Sequence, residues 1–253
     1  MEQRMKRTGG LLAVLIVSFA QMALVVRHDV PNQRYIELAK KYPQICHLPD
    51  GEATLIKENW LLTAAHVATI LQNDLKKGNV PKIGIGDQKF DAIRVVLHPD
   101  YELGKRFIAN DIALIKIKGN VKTIPVAKLY TQKDEEGAII TIVGRGDFGN
   151  GLSGPKLKDK VTRAATNRIE GVSDQWISFD FDAPESENTT ELEGVSGPGD
   201  SGGPAFLDIN GARYIVGVSS HQMNNGKASG VYGVTENYAR VSTYKEWIEM
   251  TVK

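Results

Sequence analysis

Between Ala53 and Val234 the chain keeps returning to one pattern, a short apolar and β-branched run closed by a cluster of Gly, Pro, Asn or Asp. The runs are Ala53 to Ile56, Trp60 to Thr63, Lys82 to Ile85, Ile93 to Leu97, Ile112 to Ile117, Ala138 to Val143, Trp176 to Phe181, Arg213 to Ser219 and Gly230 to Val234. Segments this short, punctuated this often, predict an all-β sandwich or barrel and exclude a helical bundle or coiled coil. At 253 residues with 42% hydrophobic content, the chain is long enough for one large core or two small ones. Its single cysteine, Cys46, can form no intramolecular disulfide, and four-cysteine zinc sites and CxxC redox chemistry go with it. Stability must therefore come from packing and backbone pairing. A formal charge of +1 leaves no net field to hold nucleic acid.

Helix signals are few. Thr243 and Glu246 have capping-box spacing, and Tyr244, Trp247, Ile248 and Thr251 fall at i, i+3, i+4, i+7, which predicts a C-terminal helix over 243–252 with its aromatic stripe on the body. A second helix is expected over Pro31 to Lys41, with Tyr35, Leu38 and Ala39 on one side. Gly144-Arg145-Gly146-Asp147-Phe148-Gly149 matches the dinucleotide-binding GxGxxG, but Asn150-Gly151-Leu152-Ser153-Gly154-Pro155 follows where a helix must open. The match reads as a turn.

The N-terminus reads as an export signal: Arg4, Lys6 and Arg7 precede the apolar run Leu11 to Val26. That run is short for a membrane span of about 20 residues. Small residues place cleavage after Ala20 or Ala23, so that residues 1–23 form the signal and 24–253 the mature domain. An uncleaved anchor, tethering the protein to the membrane, is the alternative.

Three separated motifs supply the parts of a nucleophilic hydrolase. Thr63-Ala64-Ala65-His66-Val67 ends an apolar run with a histidine, Asn110-Asp111-Ile112-Ala113-Leu114-Ile115 opens another with an aspartate, and Gly199-Asp200-Ser201-Gly202-Gly203-Pro204 sets a serine among glycines. A serine hydroxyl is a weak nucleophile until an imidazole takes its proton, and a buried carboxylate must fix the imidazole tautomer and stabilise the imidazolium. Gly199, lacking a Cβ, lets the backbone present its N–H beside that of Ser201, and two such donors can hold an oxyanion. No metal or cofactor is called for: His28, His47, His98 and His221 do not pair at ligand spacing.

With these motifs, and with Asn59-Trp60-Leu61-Leu62, Leu97-His98-Pro99-Asp100-Tyr101, Gly230-Val231-Tyr232 and Trp247-Ile248 as minor marks, the sequence resembles the trypsin/chymotrypsin family of serine endopeptidases from about Ala53 to Trp247. The resemblance implies two packed six-stranded antiparallel β-barrels, the first over about 25–128 and the second over about 129–240, with His66, Asp111 and Ser201 as a catalytic triad in the cleft. It implies Gly199 and Ser201 as the oxyanion hole. It puts the base of the substrate pocket at Val195, flanked by Ser196, with Ser220 and His221 on one wall. Valine offers no charge, so a preference other than Arg/Lys is expected, toward small or medium apolar side chains; His221 with Ser196 leaves recognition of a glutamate side chain as a second option. Family members commonly bury a new N-terminal ammonium against the aspartate before the nucleophile, here Asp200. No Ile-Val-Gly-Gly occurs, and the nearest analogue is Val25-Val26-Arg27-His28, so signal cleavage or slight further trimming near Leu24 to Val26 is expected to create the activating terminus. The missing disulfides point to a bacterial exported enzyme, secreted or periplasmic, monomeric, acting on protein or peptide substrates and meeting the membrane only through its signal. A catalytically inactive binding protein on the same scaffold is the reading from another class.

Overall fold

The computed structural model describes residues 22–104 and 108–253, so the basic N-terminal flank and Ala20 lie outside it. Six strands close a barrel in the ring order Ile45–Leu48, Gly51–Lys57, Trp60–Thr63, Ala113–Ile117, Gln88–Leu97, Lys82–Ile85, the last pairing back to the first. Its lining is the predicted apolar runs: Ala53, Leu55, Leu61, Leu62, Ile83, Leu114 and Ile115 have no measurable exposure. Full burial on every residue of Trp60–Thr63 shows one face on the barrel interior and the other under neighbouring structure.

The second half does not close into a ring of six. It is a half-barrel sheet in the order Arg163–Arg168, Ile139–Gly144, Pro204–Ile209, Ala212–Met223, Thr235–Arg240, Trp176–Asp180, Gly171–Val172, with Lys128–Leu129 added in parallel to Ala212–Met223. Beside it a four-stranded sheet runs Gly154–Leu157, Phe148–Asn150, Met22–Val26, Gly194–Gly197. The expected strand over Gly230–Val234 is a loop, with Gly230 and Gly233 at φ 68 and 85; the strand begins at Thr235 instead. The GxGxxG run turns out of its strand without starting a helix.

Residues before the first barrel belong with the second half. Val25 and Val26 pair with Val195 and Gly194, and helix α1 (Asn32–Ala39) buries Tyr35 in the same apolar cluster. The end of the apolar N-terminal run is therefore structural, with Leu24, Val25 and Val26 buried. The barrel itself closes over residues 45–117, inside the range 25–128 expected for it.

Helix α2 (Ala65–Lys76) follows the first histidine motif and was not expected from periodicity. Helix α3 (Val241–Thr251) closes the chain, burying Tyr244 and Ile248 as the stripe predicts. No side chain caps its N-terminus: the Thr243 hydroxyl donates to the Asp174 carbonyl, away from the capping-box role. The main apolar cluster passes from the barrel interior through Val143, Phe206 and Val218 to Tyr244 and Ile248, so the two halves and α3 share one continuous core. Cys46 sits inside it as a buried thiol donating to the Gln44 carbonyl, and burial pushes its pKa well up, which makes it a packing residue.

Candidate active site

His66 is the second residue of α2, not the end of a strand. Thr63, Ala64 and Ala65 are fully buried, and Ala65 and Ala68 pack on Ala113 of the barrel; small side chains let the helix lie close to the strand that follows Asp111. Asp111 is fully buried. The preceding Asn110 turns the chain at φ 49, a left-handed conformation that Asn tolerates. Its N–H donates to Gln175 Oε1 at 2.9 Å and its side-chain amide to the Asp100 carbonyl at 2.8 Å.

The Asp111 carboxylate accepts from three donors. Oδ1 takes the His66 backbone N–H at 2.9 Å, while Oδ2 faces His66 Nδ1 at 2.7 Å and takes the Ser220 hydroxyl at 2.5 Å. Burial opposes ionisation of Asp111, but the interaction with His66 and these hydrogen bonds outweigh it and hold its pKa below the usual carboxylate value. A carboxylate on Nδ1 fixes that nitrogen as the donor, which leaves Nε2 as the proton acceptor. Ser220 lies in the strand Ala212–Met223, so this carboxylate also joins the two halves across the cleft.

Ser201 sits on a loop that glycine makes possible. Gly199 takes φ 104, and a Cβ on Gly202 would stand 2.2 Å from Thr63 Oγ1. Only glycine allows the loop to lie directly on the residues leading to His66. The Glu52 N–H donates to the Ser201 carbonyl at 2.8 Å, and the Gly202 N–H to the Ser219 carbonyl at 2.9 Å. The N–H groups of Gly199 and Ser201 have no acceptor among the described residues. Asp200 turns away from the cleft, 2% exposed; Gly146 N–H donates to its Oδ1 at 2.9 Å and Gly197 N–H to its Oδ2 at 3.1 Å. Burial, with Glu52 nearby, raises its pKa to about 7.

The expected pocket residues divide. Val195 is fully buried in the second apolar cluster, paired with Val25. Ser196 instead joins a buried polar network: its hydroxyl lies 3.1 Å from Ser219 Oγ, 2.8 Å from Tyr238 OH and 3.1 Å from Glu236 Oε2. Glu236 is 2% exposed, and Gln222 Nε2 donates to its Oε1 at 2.6 Å. Burial pushes the Glu236 carboxyl up to about 8. An acidic side chain of the strand Thr235–Arg240 thus meets Ser196 beside the expected pocket base. His221 packs edge-on to Trp176 at 5.0 Å and lies 3.3 Å from Ser220 Oγ. The sequence contained the signal for Glu236: in Thr235–Arg240, Glu236 and Tyr238 share a face by strand alternation. Assigning the strand to Gly230–Val234 hid it.

A cavity of about 150 Å³ is lined by Pro49, Glu52, Arg145, Lys160, Gly199 and Ser201 among others. Glu52 is a second buried acid missed in the sequence, with His47 Nδ1 at 2.7 Å and Arg145 Nε at 3.8 Å.

This arrangement can be set beside known proteins. The profile of the Trypsin family matches residues 41–248. The chain belongs to the trypsin family. It is a serine-type peptidase by that membership, and the barrel, half-barrel and C-terminal helix are the family's fold. Trypsin V-B of Rattus norvegicus is 31% identical over 241 residues, covering 89% of this chain and 85% of the relative. Granzyme B of the same species is 25% identical over 236 residues, covering 89% and 88%. The calcium-dependent serine proteinase of Mesocricetus auratus is 26% identical over 238 residues; the matched part covers 81% of this chain and 32% of that relative's length.

Proposed function

We propose that this trypsin-family chain is an exported serine endopeptidase that works through His66, Asp111 and Ser201. Ser201 Oγ attacks the peptide carbonyl as His66 Nε2 takes its proton, and the same proton then goes to the leaving amine as the acyl-enzyme forms. Water, deprotonated by His66, releases the acyl group. The N–H groups of Gly199 and Ser201 hold the oxyanion, each worth roughly 3–4 kcal/mol in the transition state. The observation that carries the reading is the Asp111 carboxylate, buried and shared by His66 and Ser220, since a fully desolvated acid oriented on an imidazole is what this chemistry requires. Hydrolysis of a casein or peptide-library substrate that vanishes in Ser201→Ala and in His66→Ala tests it; activity retained in either folded variant would refute it.

Export rests on the basic flank and apolar run of residues 1–26. A terminus at Leu24 would start two residues after Met22, which pairs with Gly197, whose N–H donates to Asp200, a buried acid held only by backbone N–H groups. Sequencing the N-terminus of active enzyme should find a start between Leu24 and Val26. The mature enzyme acts as a monomer on protein or peptide chains.

A further inference from the structure

The turn that opens the GxGxxG match is laced to the loop carrying Ser201. Gly146 N–H donates to Asp200 Oδ1 at 2.9 Å and Asp147 N–H to the Pro198 carbonyl at 2.8 Å. A Cβ on Gly144 would collide with Asp200 Oδ1, and one on Gly199 would lie 3.1 Å from Gly146 Cα. Arg145 is thus mounted between two glycines on the nucleophile loop itself. Its side chain is 35% exposed and makes no hydrogen bond among the described residues; the one carboxylate within ion-pairing range is Glu52, at 3.8 Å from Nε. Glu52 is engaged elsewhere, with His47 Nδ1 at 2.7 Å from Oε2, and burial pushes its carboxyl well up, so it offers Arg145 little countercharge. By contrast Arg27, Arg34, Arg163 and Arg240 each hold a carboxylate at 2.5 or 2.6 Å. Arg94 makes no such pair either, but it stands exposed on the barrel strand Gln88–Leu97 and does not line the cavity at Ser201.

The cavity of about 150 Å³ brings Arg145 together with Lys158 and Lys160 beside Gly199 and Ser201. Lys158 is answered by Asp147 at 3.3 Å. Lys160 makes no ion pair or hydrogen bond among the described residues and takes φ 55, in the left-handed region. Its charge favours ionisation of both Glu52 and Asp200. The opposing acid is Asp50, exposed in the two-residue turn between Ile45–Leu48 and Gly51–Lys57. One wall fixes which half of a substrate comes here. A Cβ on Gly51 would come within 2.8 Å of both the Ser201 carbonyl oxygen and Cγ1 of Val67, the residue after His66. Ser196, Ser219 and Ser220 line none of the cavity. His66 gives its proton to the leaving amine, so the chain beyond the cleaved bond departs along the wall that joins Ser201 to α2.

We propose that this cavity selects the leaving half of the substrate by charge: Arg145 forms a forked pair with an aspartate or glutamate side chain one or two residues beyond the bond that Ser201 cleaves, and Lys160 adds a second positive charge. A guanidinium presents its N–H donors in a plane that matches a carboxylate, and here those donors are open to the cavity. The leaving peptide is released when the acyl-enzyme forms, so the selection acts on acylation and not on the water step. It is independent of the side chain held near Val195 and Ser196.

This inference rests on the peptidase reading above, and the test separates the two. Amidated peptides identical up to the cleaved bond, carrying Glu, Gln or Lys at the first or second position beyond it, are compared on the processed wild type and on Arg145→Gln, Arg145→Glu and Lys160→Gln. The wild type should favour Glu over Gln by at least about fivefold in kcat/KM at one of the two positions at about 0.02 M salt, and by less than about twofold at about 1 M, where a part-exposed charge pair is screened. Arg145→Gln should bring the Glu and Gln peptides to within about twofold, Arg145→Glu should favour Lys over Glu, and Lys160→Gln should at least halve the Glu preference. A merely structural role for Arg145 would slow all three peptides alike and leave their ratios unmoved. Glu and Gln peptides cleaved equally by the wild type at both positions, or a Glu preference that survives Arg145→Gln, would overturn the proposal. If the Arg145 variants do not fold, a wild-type Glu preference that neither salt nor Lys160→Gln reduces overturns it, and one that both reduce supports it. Failure of wild-type Ser201 to react with a fluorophosphonate refutes the peptidase reading instead.

Discussion

Replacing Asp111 with Asn removes one oxygen and one charge from the most constrained group in the cleft, and the outcome follows from its three hydrogen bonds. The amide oxygen can keep the His66 backbone N–H now held at 2.9 Å, which leaves the amide NH₂ facing His66 Nδ1 and Ser220 Oγ. The Ser220 hydroxyl can rotate to accept. Nδ1 can accept only by losing its proton to Nε2, and an Nε2–H imidazole cannot take the proton of Ser201. The shape of the site survives while the base is lost, so kcat/KM should fall by about 10⁴-fold, or about 5.4 kcal/mol at 1.36 kcal/mol per decade. Folding stability should change by no more than about 3 kcal/mol, the scale of one hydrogen bond to a charged group. The assay is the second-order rate of fluorophosphonate reaction together with peptide hydrolysis, on protein whose thermal unfolding shows it folded. A loss smaller than about tenfold in both rates would refute the assignment of Asp111 as the group orienting His66.

Gly199→Ala places a Cβ on a residue at φ 104 and 3.1 Å from Gly146 Cα, and tilting that amide should cut kcat by about 10²-fold or more with KM little changed, read by steady-state kinetics. Arg240→Ala strands the fully buried Glu135, which its guanidinium meets at 3.1 and 2.6 Å; the variant should lose about 3–5 kcal/mol in denaturant unfolding, and a loss below about 1 kcal/mol would contradict the pairing. Burial raises Glu236 to about 8, and Asp200 and Glu193 each to about 7. Groups with raised folded-state pKa values stabilise the fold fully below the unfolded carboxylate range and lose that contribution as pH rises through 7 and 8, so Tm should decline from mildly acidic toward alkaline pH. Glu236→Gln should flatten the alkaline part of that decline, and an unchanged profile would show that Glu236 carries no such burden.

The barrel was legible because its strands obey one rule. Trp60–Thr63 and Lys82–Ile85 are apolar runs bounded by turn residues, and they occupy the predicted positions. Helix α2 was not legible because His66 begins a helix directly after a strand, and the apolar continuity across Thr63, Ala64 and Ala65 conceals the change of period. The half-barrel was harder for a related reason: Arg163–Arg168 and Thr235–Arg240 carry polar residues that are buried by tertiary pairing, such as Asn167, Glu236 and Arg240, and a pattern reading assigns such residues to the surface. Within the site, His66, Asp111 and Ser201 stand out by motif. Ser220 was expected on a wall of the pocket and contributes a hydroxyl to Asp111. Glu236 and Glu52 carry no motif, since their importance comes only from what the fold buries beside them.

The central claim is that Ser201 is a nucleophile activated by His66, and reaction with a fluorophosphonate followed by mass spectrometry of the digested protein tests it most directly. The account predicts a stoichiometric adduct on the peptide containing Gly199-Asp200-Ser201, absent in Ser201→Ala and slowed by about 10⁴-fold in Asp111→Asn. A correctly processed, folded protein whose Ser201 stays unmodified, or one labelled equally in Ser201→Ala, would contradict it.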